Sequence, residues 1–421
     1  GALPGAPVLG DADIAYLRGV VDSFGADEIA ELAEIEAETR HDVKAVEYFL
    51  KRRLAAAADV LGPESPLPHV GEIVHIFCTS EDINNLAYAL TIRDAVRQVW
   101  QPAAIGLTGE LAQLAKDTAE LPMLSRTHGQ TATPTTLGKE MAVLAARLRR
   151  QLRRIASAEF LGKINGATGT YGAHHISVPQ TDWPASAQSF VEGLGLTWNP
   201  LTTQIEPHDW QAELYADIAR FNRVLHNLCT DIWTYISLGY FRQRLSAQGS
   251  TGSSTMPHKV NPIRFENAEA NLEISSALLD TLGATLVTSR LQRDLTDSTT
   301  QRNIGVAIGH SLLAIDNVRR GLAGLDVDTA AMERDLDDSW EVLGEAVQSA
   351  MRAASVAGAE GMADPYERLK ELTRGRQVDA EGMRDLIAGL GLPQDVTERL
   401  MRLTPATYTG LAASLVAHLD G

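Results

Sequence analysis

Residues 211–241, QAELYADIARFNRVLHNLCTDIWTYISLGYF, carry the clearest structural pattern in this chain. Large apolar side chains recur there every three or four residues, and that spacing places them on one face of an α-helix. The positions concerned are Ile218, Phe221, Leu225, Leu228, Ile232 and Ile236. The pattern therefore predicts one long helix with a continuous apolar stripe.

Four further stretches repeat this pattern over long spans. They are residues 86–120, interrupted only by Pro102, and residues 139–160, 264–286 and 303–325. Alternating strand patterns are scarce, and there is no β-α-β rhythm. Long amphipathic helices with few strands predict an all-α fold built as a helical bundle. The apolar stripes are wider than one neighbouring helix requires, so we expect partner subunits to complete the core.

Shorter helical patterns flank the long ones. They occupy residues 11–38 and 41–60, and the turn-forming sequence GPESPLP at 62–68 marks a first domain boundary. Thr79-Ser80-Glu81-Asp82 then matches a capping box, which predicts a helix start. From Asp326 onward the helical patterns are short again.

The chain is strongly acidic, with 37 Lys and Arg residues, 54 Asp and Glu residues and a formal net charge of −17. This charge disfavours nucleic acid and anionic membranes as partners, but local cations could still bind a small anionic substrate. Cys78 and Cys229 lie in apolar-periodic segments and are expected to be reduced thiols. No apolar run approaches the roughly 20 residues that cross a bilayer, and residues 1–13 lack a signal-peptide layout. We therefore expect a soluble, cytoplasmic protein.

The sequence GSSTMPHKVNP, residues 252–262, is the richest in candidate chemistry. Small residues around Ser253 and Ser254 favour a mobile loop, and the donors Lys259 and Asn261 follow shortly after. A hydroxyl beside fixed donors suits a reaction that builds negative charge on oxygen. The alternative, a solvated turn before a helix, is the commoner meaning of an isolated Gly-Ser-Ser. A nucleotide-binding P-loop is excluded, because the GxxxxGK[ST] spacing is absent.

Polar residues are also dense in three stretches between the long helices: 125–130, 202–209 and 293–302. SRTHGQ contains His128; an isolated histidine is more often structural, but its Arg, Thr and Gln neighbours favour a working imidazole. TTQIEPHD fits a helix cap, and no metal-ligand spacing accompanies it. RDLTDSTTQR holds two arginines that could clamp a phosphate or, alternatively, form a surface ion pair.

Taken together, these motifs resemble the adenylosuccinate lyase family of the fumarase/aspartase superfamily. GSSTMPHKVNP is similar to the signature loop of the superfamily. The stretches that resemble this family specifically are TSEDINNLAYAL (79–90), LSRTHGQTATPTTLGKEM (124–141), GKINGATGTYGAH (162–174), TTQIEPHD (202–209) and QRDLTDSTTQRN (292–303). The resemblance runs from about His41 to the C-terminus.

The resemblance implies a helical N-terminal domain (1–68), a central domain with a long five-helix bundle (69–322) and a helical C-terminal domain (323–421). Four central domains would form the twenty-helix core of a homotetramer, with each active site drawn from three subunits. The implied reaction is β-elimination of fumarate from adenylosuccinate, giving AMP, and from the succinylated imidazole carboxamide SAICAR, giving AICAR. It implies no cofactor and no metal.

The resemblance also implies roles for individual residues. Ser253 would be the general base, His128 the general acid, and Glu266 would orient His128. Lys259 and Asn261 would hold the succinyl carboxylate, whose aci-carboxylate form carries the charge that develops. Further substrate contacts are implied for Thr79, Ser80, Gln204, Ser254, Asn267 and His75, and nucleotide contacts for His41, Asp42, Arg293, Ser298 and Arg302. Arg40, beside them, is also expected to bind substrate, although it stands where the family commonly has asparagine.

Two alternatives stay open: another fumarate-releasing lyase, such as argininosuccinate lyase or fumarase, and a helical scaffold without catalysis. The cluster at 293–302 disfavours the first, because those substrates carry no phosphate. Intact Ser253, His128, Lys259 and Glu266 disfavour the second. The family's N-terminal segment, with an Arg-Tyr pair that contacts the phosphate, has no counterpart in these 421 residues; a protein without that segment is expected to have lower substrate affinity.

Overall fold

The computed structural model describes residues 3–244, 256, 259–359, 366–367, 369–370 and 378–420. Helices dominate these ranges, which confirms the predicted all-α class. The helices are α1 (Asp11–Asp22), α2 (Ala26–Thr39), α3 (Asp42–Leu61), α4 (Ser80–Asp94), α5 (Gln101–Asp117), α6 (Leu137–Ala156), α7 (Gly172–Ser177), α8 (Trp183–Gly193), α9 (Asp209–Ser237), α10 (Ile263–Leu286), α11 (Thr296–Gln301), α12 (Ile304–Ala323), α13 (Thr329–Asp337), α14 (Gly344–Val356), α15 (Ala380–Ala388), α16 (Gln394–Met401) and α17 (Ala412–Leu415). Short 3₁₀ turns lie at Leu67–His69, Gly71–Ile73, Trp340–Leu343, Pro405–Thr407 and Val416–Asp420.

The apolar stripes of the long helices form the core, as their spacing predicted. On α9 the five side chains from Ile218 to Ile232 are fully buried, and Ile236 is half-buried. The stripe of α10 is buried as well, including the hydroxyl of Ser275. Burial of such large side chains contributes about 1.5–3 kcal/mol each, so these stripes supply much of the stability.

The predicted helix over 86–120 is present, with one local change of winding. A π-helical turn, Ala95–Trp100, joins α4 to α5, and Pro102 follows directly in the first turn of α5. Proline has no N–H, and its ring clashes with the carbonyl four residues earlier, so an ordinary α-turn is unfavourable there. The wider π-turn lets the helical path continue through this position.

Three short strand pairs occur in the described part of the chain. β1 (Pro122–Thr127) pairs antiparallel with β2 (Gln130–Thr136), β3 (Leu161–Gly162) pairs parallel with β4 (Thr197–Trp198), and β5 (Phe241–Gln243) pairs antiparallel with β6 (Leu325–Val327). The β1–β2 hairpin corrects the sequence analysis, which placed an irregular stretch there. A two-stranded hairpin has only edges, so it tolerates Pro122 and Pro134.

The chain folds into two compact units. Unit 1 comprises residues 1–99, 157–216 and 279–304, and unit 2 comprises residues 100–156, 217–278 and 305–421. The three-domain division at residues 68 and 322 stays a prediction. Both cysteines are free thiols, and Cys229 is buried. Among the described residues, no helix combines the length and apolarity needed to span a membrane.

Candidate active site

The start of α4 brings three predicted substrate residues together in unit 1. Asp82 accepts the backbone N–H of Thr79 (2.9 Å), so the predicted capping box is present. His41 caps α3, because its Nδ1 accepts the N–H of Lys44 (3.2 Å). Its Nε2 lies 3.3 Å from the Ser80 hydroxyl. Since Nδ1 is an acceptor, a neutral His41 carries its proton on Nε2 and donates to Ser80. The predicted residue Asp42 follows His41 as the first residue of α3.

A fully buried ion pair lies beneath this helix start. The Lys163 ammonium lies 2.8 Å from Asp82 Oδ1, and neither side chain is exposed to solvent. Asp82 also accepts the backbone N–H groups of Asn165 (2.9 Å) and Gly166 (3.1 Å). Burial lowers the pKa of Lys163, and the Asp82 charge opposes that shift. Asp82 therefore joins the start of α4 to the loop that follows β3.

Gln204 and Arg293, both predicted to contact substrate, are bonded to each other. Arg293 Nη1 donates to Gln204 Oε1 (3.3 Å), and Gln204 donates to the carbonyl of Ala167 (2.9 Å). Arg293 Nη2 also pairs with Glu81 Oε1 at 3.0 Å, with 15% and 5% of these two side chains exposed. Its Nε is buried without an acceptor in the described part of the chain. Glu81 thus holds the guanidinium in place while balancing part of its charge.

The helix α11 carries the remaining predicted nucleotide residues. Ser298 donates to the carbonyl of Leu295 (3.1 Å), and Arg302 is exposed at the C-terminal end of the helix. Beneath them the buried His208 ring lies 3.7 Å from Asp297. The other ring nitrogen of His208 lies 3.3 Å from the Gln211 amide, which ties α11 to the start of α9.

Several predicted site residues have a backbone conformation that side chains rarely adopt. Arg40, His75 and His128 have φ angles of 53°, 66° and 54°. The left-handed region costs a non-glycine residue of order 1–3 kcal/mol and is enriched at functional sites. Arg40 takes it at the C-cap of α2, which is the helix position where asparagine is a common choice.

In unit 2, His128 occupies the tip of the β1–β2 hairpin. Thr127 pairs with Gln130, so His128 and Gly129 form a two-residue turn, and both have positive φ, as in a type I′ turn. The His128 side chain is exposed, and no hydrogen bond joins it to any residue in the described ranges. Close to this turn, Arg126 is held by Tyr240 (2.9 Å) and Asp335. The hairpin therefore exposes an imidazole that has no hydrogen bond to a described residue, while the contacts of Arg126 hold the neighbouring backbone in place.

The other predicted catalytic residues lie at the start of α10. Lys259, Asn261 and Glu266 are exposed. Glu266 accepts from Trp233 Nε1 (3.2 Å), and the structure shows no hydrogen bond or ion pair between Glu266 and His128 within the chain. Asn267 is bonded to two other asparagines through its Oδ1. Ser253 and Ser254 lie outside the described residues.

Sequence reasoning missed the residues that hold these side chains in place. Lys163 and Asn165 lie in the quoted GKINGATG stretch but had no assigned role, and Glu81 and Asp82 were identified only as capping residues. A lysine within a glycine-rich loop was the available signal, but its partner is 81 residues away in sequence. Among the described residues, no group of His, Cys, Asp and Glu side chains is arranged to hold a metal ion.

The chain is similar to known lyases over most of its length. A lyase family matches residues 5–273, and a family described as adenylosuccinate lyase C-terminal matches residues 289–409. Adenylosuccinate lyase of Escherichia coli (strain K12) is 48% identical over 419 residues, which cover 99% of this chain and 89% of the relative. The Haemophilus influenzae adenylosuccinate lyase is 47% identical over 406 residues, covering 96% and 86%.

Solved structures share the fold at much lower sequence identity. A fumarate lyase from Mesorhizobium sp. BNC1 has a TM-score of 0.77 at 20% identity, covering 99% of this chain and 89% of that one. A 3-carboxy-cis,cis-muconate lactonizing enzyme from Pseudomonas putida has a TM-score of 0.72 at 22% identity, covering 97% and 88%. At these identities the likeness shows the fold alone.

Proposed function

This chain belongs to the adenylosuccinate lyase family and is an enzyme of the lyase class, and on that premise we propose that it eliminates fumarate from adenylosuccinate to leave AMP. The observation that carries the proposal is the match to the adenylosuccinate lyase C-terminal family over residues 289–409, in addition to the general lyase match. The same chemistry applies to SAICAR, because it carries the same succinyl group on nitrogen.

We assign the two proton transfers to Ser253 and His128. Ser253 removes the proton from the carbon beside a succinyl carboxylate, and His128 protonates the nitrogen as its bond to carbon breaks. An imidazole suits the acid role because its ordinary pKa lies near neutral pH. The exposed, unbonded ring of His128 at the hairpin tip supports this assignment. Glu266 would orient that ring once the site is assembled.

Two sets of residues stabilise charge in this proposal. Lys259 and Asn261, in unit 2, hold the carboxylate on which negative charge develops. In unit 1, Arg293 and Arg302 with Ser298 hold the phosphate, while Gln204, Thr79 and Ser80 contact the rest of the substrate. His41 belongs to this set by its contact with Ser80 at the start of α4, and the Asp42 carboxylate lies 3.4 Å from His41 Nδ1. No cofactor enters the reaction, because the proton acceptor and donor are both side chains.

We further propose that the enzyme is a homotetramer whose active sites are shared between subunits. Supporting this, the long helices of unit 2 expose large apolar side chains, namely Val143 on α6, Trp233 on α9, Ile274 on α10 and Val306 and Leu313 on α12. Exposed apolar side chains of this size on neighbouring helices are typical of protein interfaces. A cytoplasmic location stays a prediction from the sequence.

A substrate panel tests the activity. Purified protein is incubated separately with adenylosuccinate, SAICAR, argininosuccinate and malate, and fumarate is followed. We expect fumarate from the first two only. Fumarate from argininosuccinate or malate alone would favour a sister lyase, and none from any substrate would favour a scaffold. Ser253→Ala and His128→Ala should each abolish most turnover while leaving the oligomer unchanged in size-exclusion chromatography.

A further inference from the structure

Three asparagines of unit 2 form a hydrogen-bonded group whose amide orientations the structure determines. Asn267 and Asn271 lie on α10, and Asn317 lies on α12. Asn271 and Asn317 are buried, at 8% and 6% exposed, whereas Asn267 is exposed. The oxygen and nitrogen of an amide are distinguished by their hydrogen-bond partners. Here each buried amide has at least one partner that is only a donor or only an acceptor.

The orientation of Asn317 follows from a carbonyl and a guanidinium. Its Nδ2 lies 3.0 Å from the backbone carbonyl of Leu313, which can only accept. Its Oδ1 lies 3.2 Å from Arg264 Nη1, which can only donate. Rotating this amide by half a turn would place two donors together on one side and two acceptors on the other.

The orientation of Asn271 follows in the same way. Its Nδ2 lies 2.7 Å from the backbone carbonyl of Asn267, and its Oδ1 lies 2.7 Å from Nδ1 of His310. The ring nitrogen of His310 that faces Asn271 therefore carries hydrogen. The Asn267 carbonyl, which can only accept, is the contact that fixes the amide of Asn271.

These two fixed amides determine the third. Asn271 Nδ2 and Asn317 Nδ2 each lie 3.0 Å from Asn267 Oδ1, so that oxygen accepts two hydrogen bonds. The Nδ2 of Asn267 has no acceptor among the residues that the structure describes. If Asn267 turned over, three N–H donors would face one another, and leaving buried donors unpaired is costly.

We propose that Asn271 and Asn317 are positioning residues that make Asn267 a donor-only contact, selective for an acceptor oxygen of the substrate. Such an oxygen belongs to a carboxylate or a carbonyl, and an N–H or a cationic group would be rejected there. The inference rests on the proposed function, because it takes Asn267 as a substrate contact. It adds that Asn267 donates the hydrogen bond in that contact and that Asn271 and Asn317 fix its orientation.

The isosteric substitution Asn317→Asp tests the proposal. It keeps the size and the Arg264 partner but replaces the donor that faces Asn267 with an acceptor. The charged acceptor favours the reversed Asn267, whose amide nitrogen would face position 317, whereas Asn271 Nδ2 favours the present orientation, so the donor that Asn267 offers to the substrate is weakened. We expect the KM for adenylosuccinate to rise about tenfold or more, with a smaller change in kcat. The inhibition constants of fumarate and AMP, measured separately, show whether the acceptor oxygen belongs to the succinyl part or to the ribose phosphate part of the substrate.

Asn222→Asp is a matched control. Asn222 is fully buried in the same unit, donates to Ser275 Oγ (2.9 Å) and accepts from Ser311 Oγ (2.7 Å). The same substitution there also removes one buried donor, so it should lower thermal stability but leave KM within about twofold. If Asn317 had a purely structural role, both variants would lose thermal stability and keep a KM close to that of the wild type.

The outcomes separate this proposal from the proposed function. An inactive wild-type enzyme would overturn the function itself. An active wild type, with an Asn317→Asp variant whose KM and inhibition constants match those of Asn222→Asp, would overturn the positioning role. If Asn317→Asp does not fold, Asn317→Leu replaces it. The leucine variant removes one of the two donors that hold Asn267. We therefore expect its KM for adenylosuccinate to rise about threefold. An unchanged KM in that variant would equally overturn the proposal.

Discussion

The two units differ in how many of their predicted site residues form hydrogen bonds or ion pairs within the chain. In unit 1 the substrate residues are bonded to one another or to buried charges, as with Arg293 between Gln204 and Glu81 and with Thr79 on Asp82. In unit 2 the predicted acid His128 stands on a hairpin tip without a bond to any described residue, and Lys259 and Asn261 are exposed. The bonded residues of unit 1 are held before substrate arrives, whereas His128, Lys259 and Asn261 are exposed. Asn267 is the exception in unit 2, because Asn271 and Asn317 hold it.

This difference has a physical basis in what each set has to do. Binding residues gain affinity when their geometry is fixed in advance, because less entropy is lost when substrate binds. A general acid must instead leave its proton free to reach the substrate, so an intramolecular hydrogen bond to that proton would compete with catalysis. Substitutions in the two units should therefore separate stability from turnover.

His128→Asn should have the largest effect on turnover. Asparagine-glycine is the preferred pair for a type I′ turn, so the hairpin keeps its shape, but an amide cannot donate a proton as an acid near pH 7. We expect kcat to fall by about 10²–10⁴, while the free energy of unfolding changes by less than about 0.5 kcal/mol. Turnover and urea unfolding measured on one preparation check both parts. A clear loss of stability would show that the ring has a structural role.

Asp82→Asn should have the largest effect on stability. It leaves the buried Lys163 ammonium without its counter-charge, and removing one partner of such a pair costs about 3–5 kcal/mol. The control is Asp94→Asn on the same helix, where Asp94 is partly exposed and its pair with Arg93 is expected to contribute about 0–1 kcal/mol. Urea unfolding compares the two variants. Equal losses of stability would contradict the central role of the buried pair.

Glu206 should make stability depend on pH in unit 1. Burial raises the pKa of Glu206 to about 7, although Asn199 and Trp210 donate to its carboxylate. Between the ordinary value of 4.5 and about 7, the folded chain keeps a proton that the unfolded chain has released. Raising the pH through this window therefore removes stability, by about 3 kcal/mol in total. The slope should be absent from Glu206→Gln when unfolding is compared at pH 5 and 7.5, and an identical slope in both proteins would refute this origin.

Arg40→Asn should have the smallest effect, and a favourable one. Asparagine tolerates the left-handed conformation at the C-cap of α2 better than arginine does. We expect the free energy of unfolding to rise by about 0.5–1 kcal/mol. Thermal unfolding of the variant beside Arg40→Ala, which gains nothing at that φ angle, measures the difference. A gain of the same size in both variants would point to removal of charge instead.

Local signals in the sequence predicted much of the architecture correctly. The periodic apolar residues of α9 and α10 are buried as expected, and the capping box at Thr79 begins α4. The prediction of an irregular stretch around His128 was wrong, because the residues form a hairpin. Two prolines obscured the alternating pattern of its strands. The π-turn before Pro102 was also absent from the prediction. A proline within a helical pattern can mark either a break in the helix or a local π-turn, and the sequence does not distinguish the two.

Helix positions, the acidic charge and the order of the motifs follow from the sequence alone, because each depends on neighbours a few residues apart or on simple composition. The amide orientation of Asn267 and the Asp82–Lys163 pair depend on residues 50 and 81 positions away. Only packing of the chain brings such partners within hydrogen-bond distance. Once they are buried there, the cost of leaving a polar group unpaired determines their arrangement.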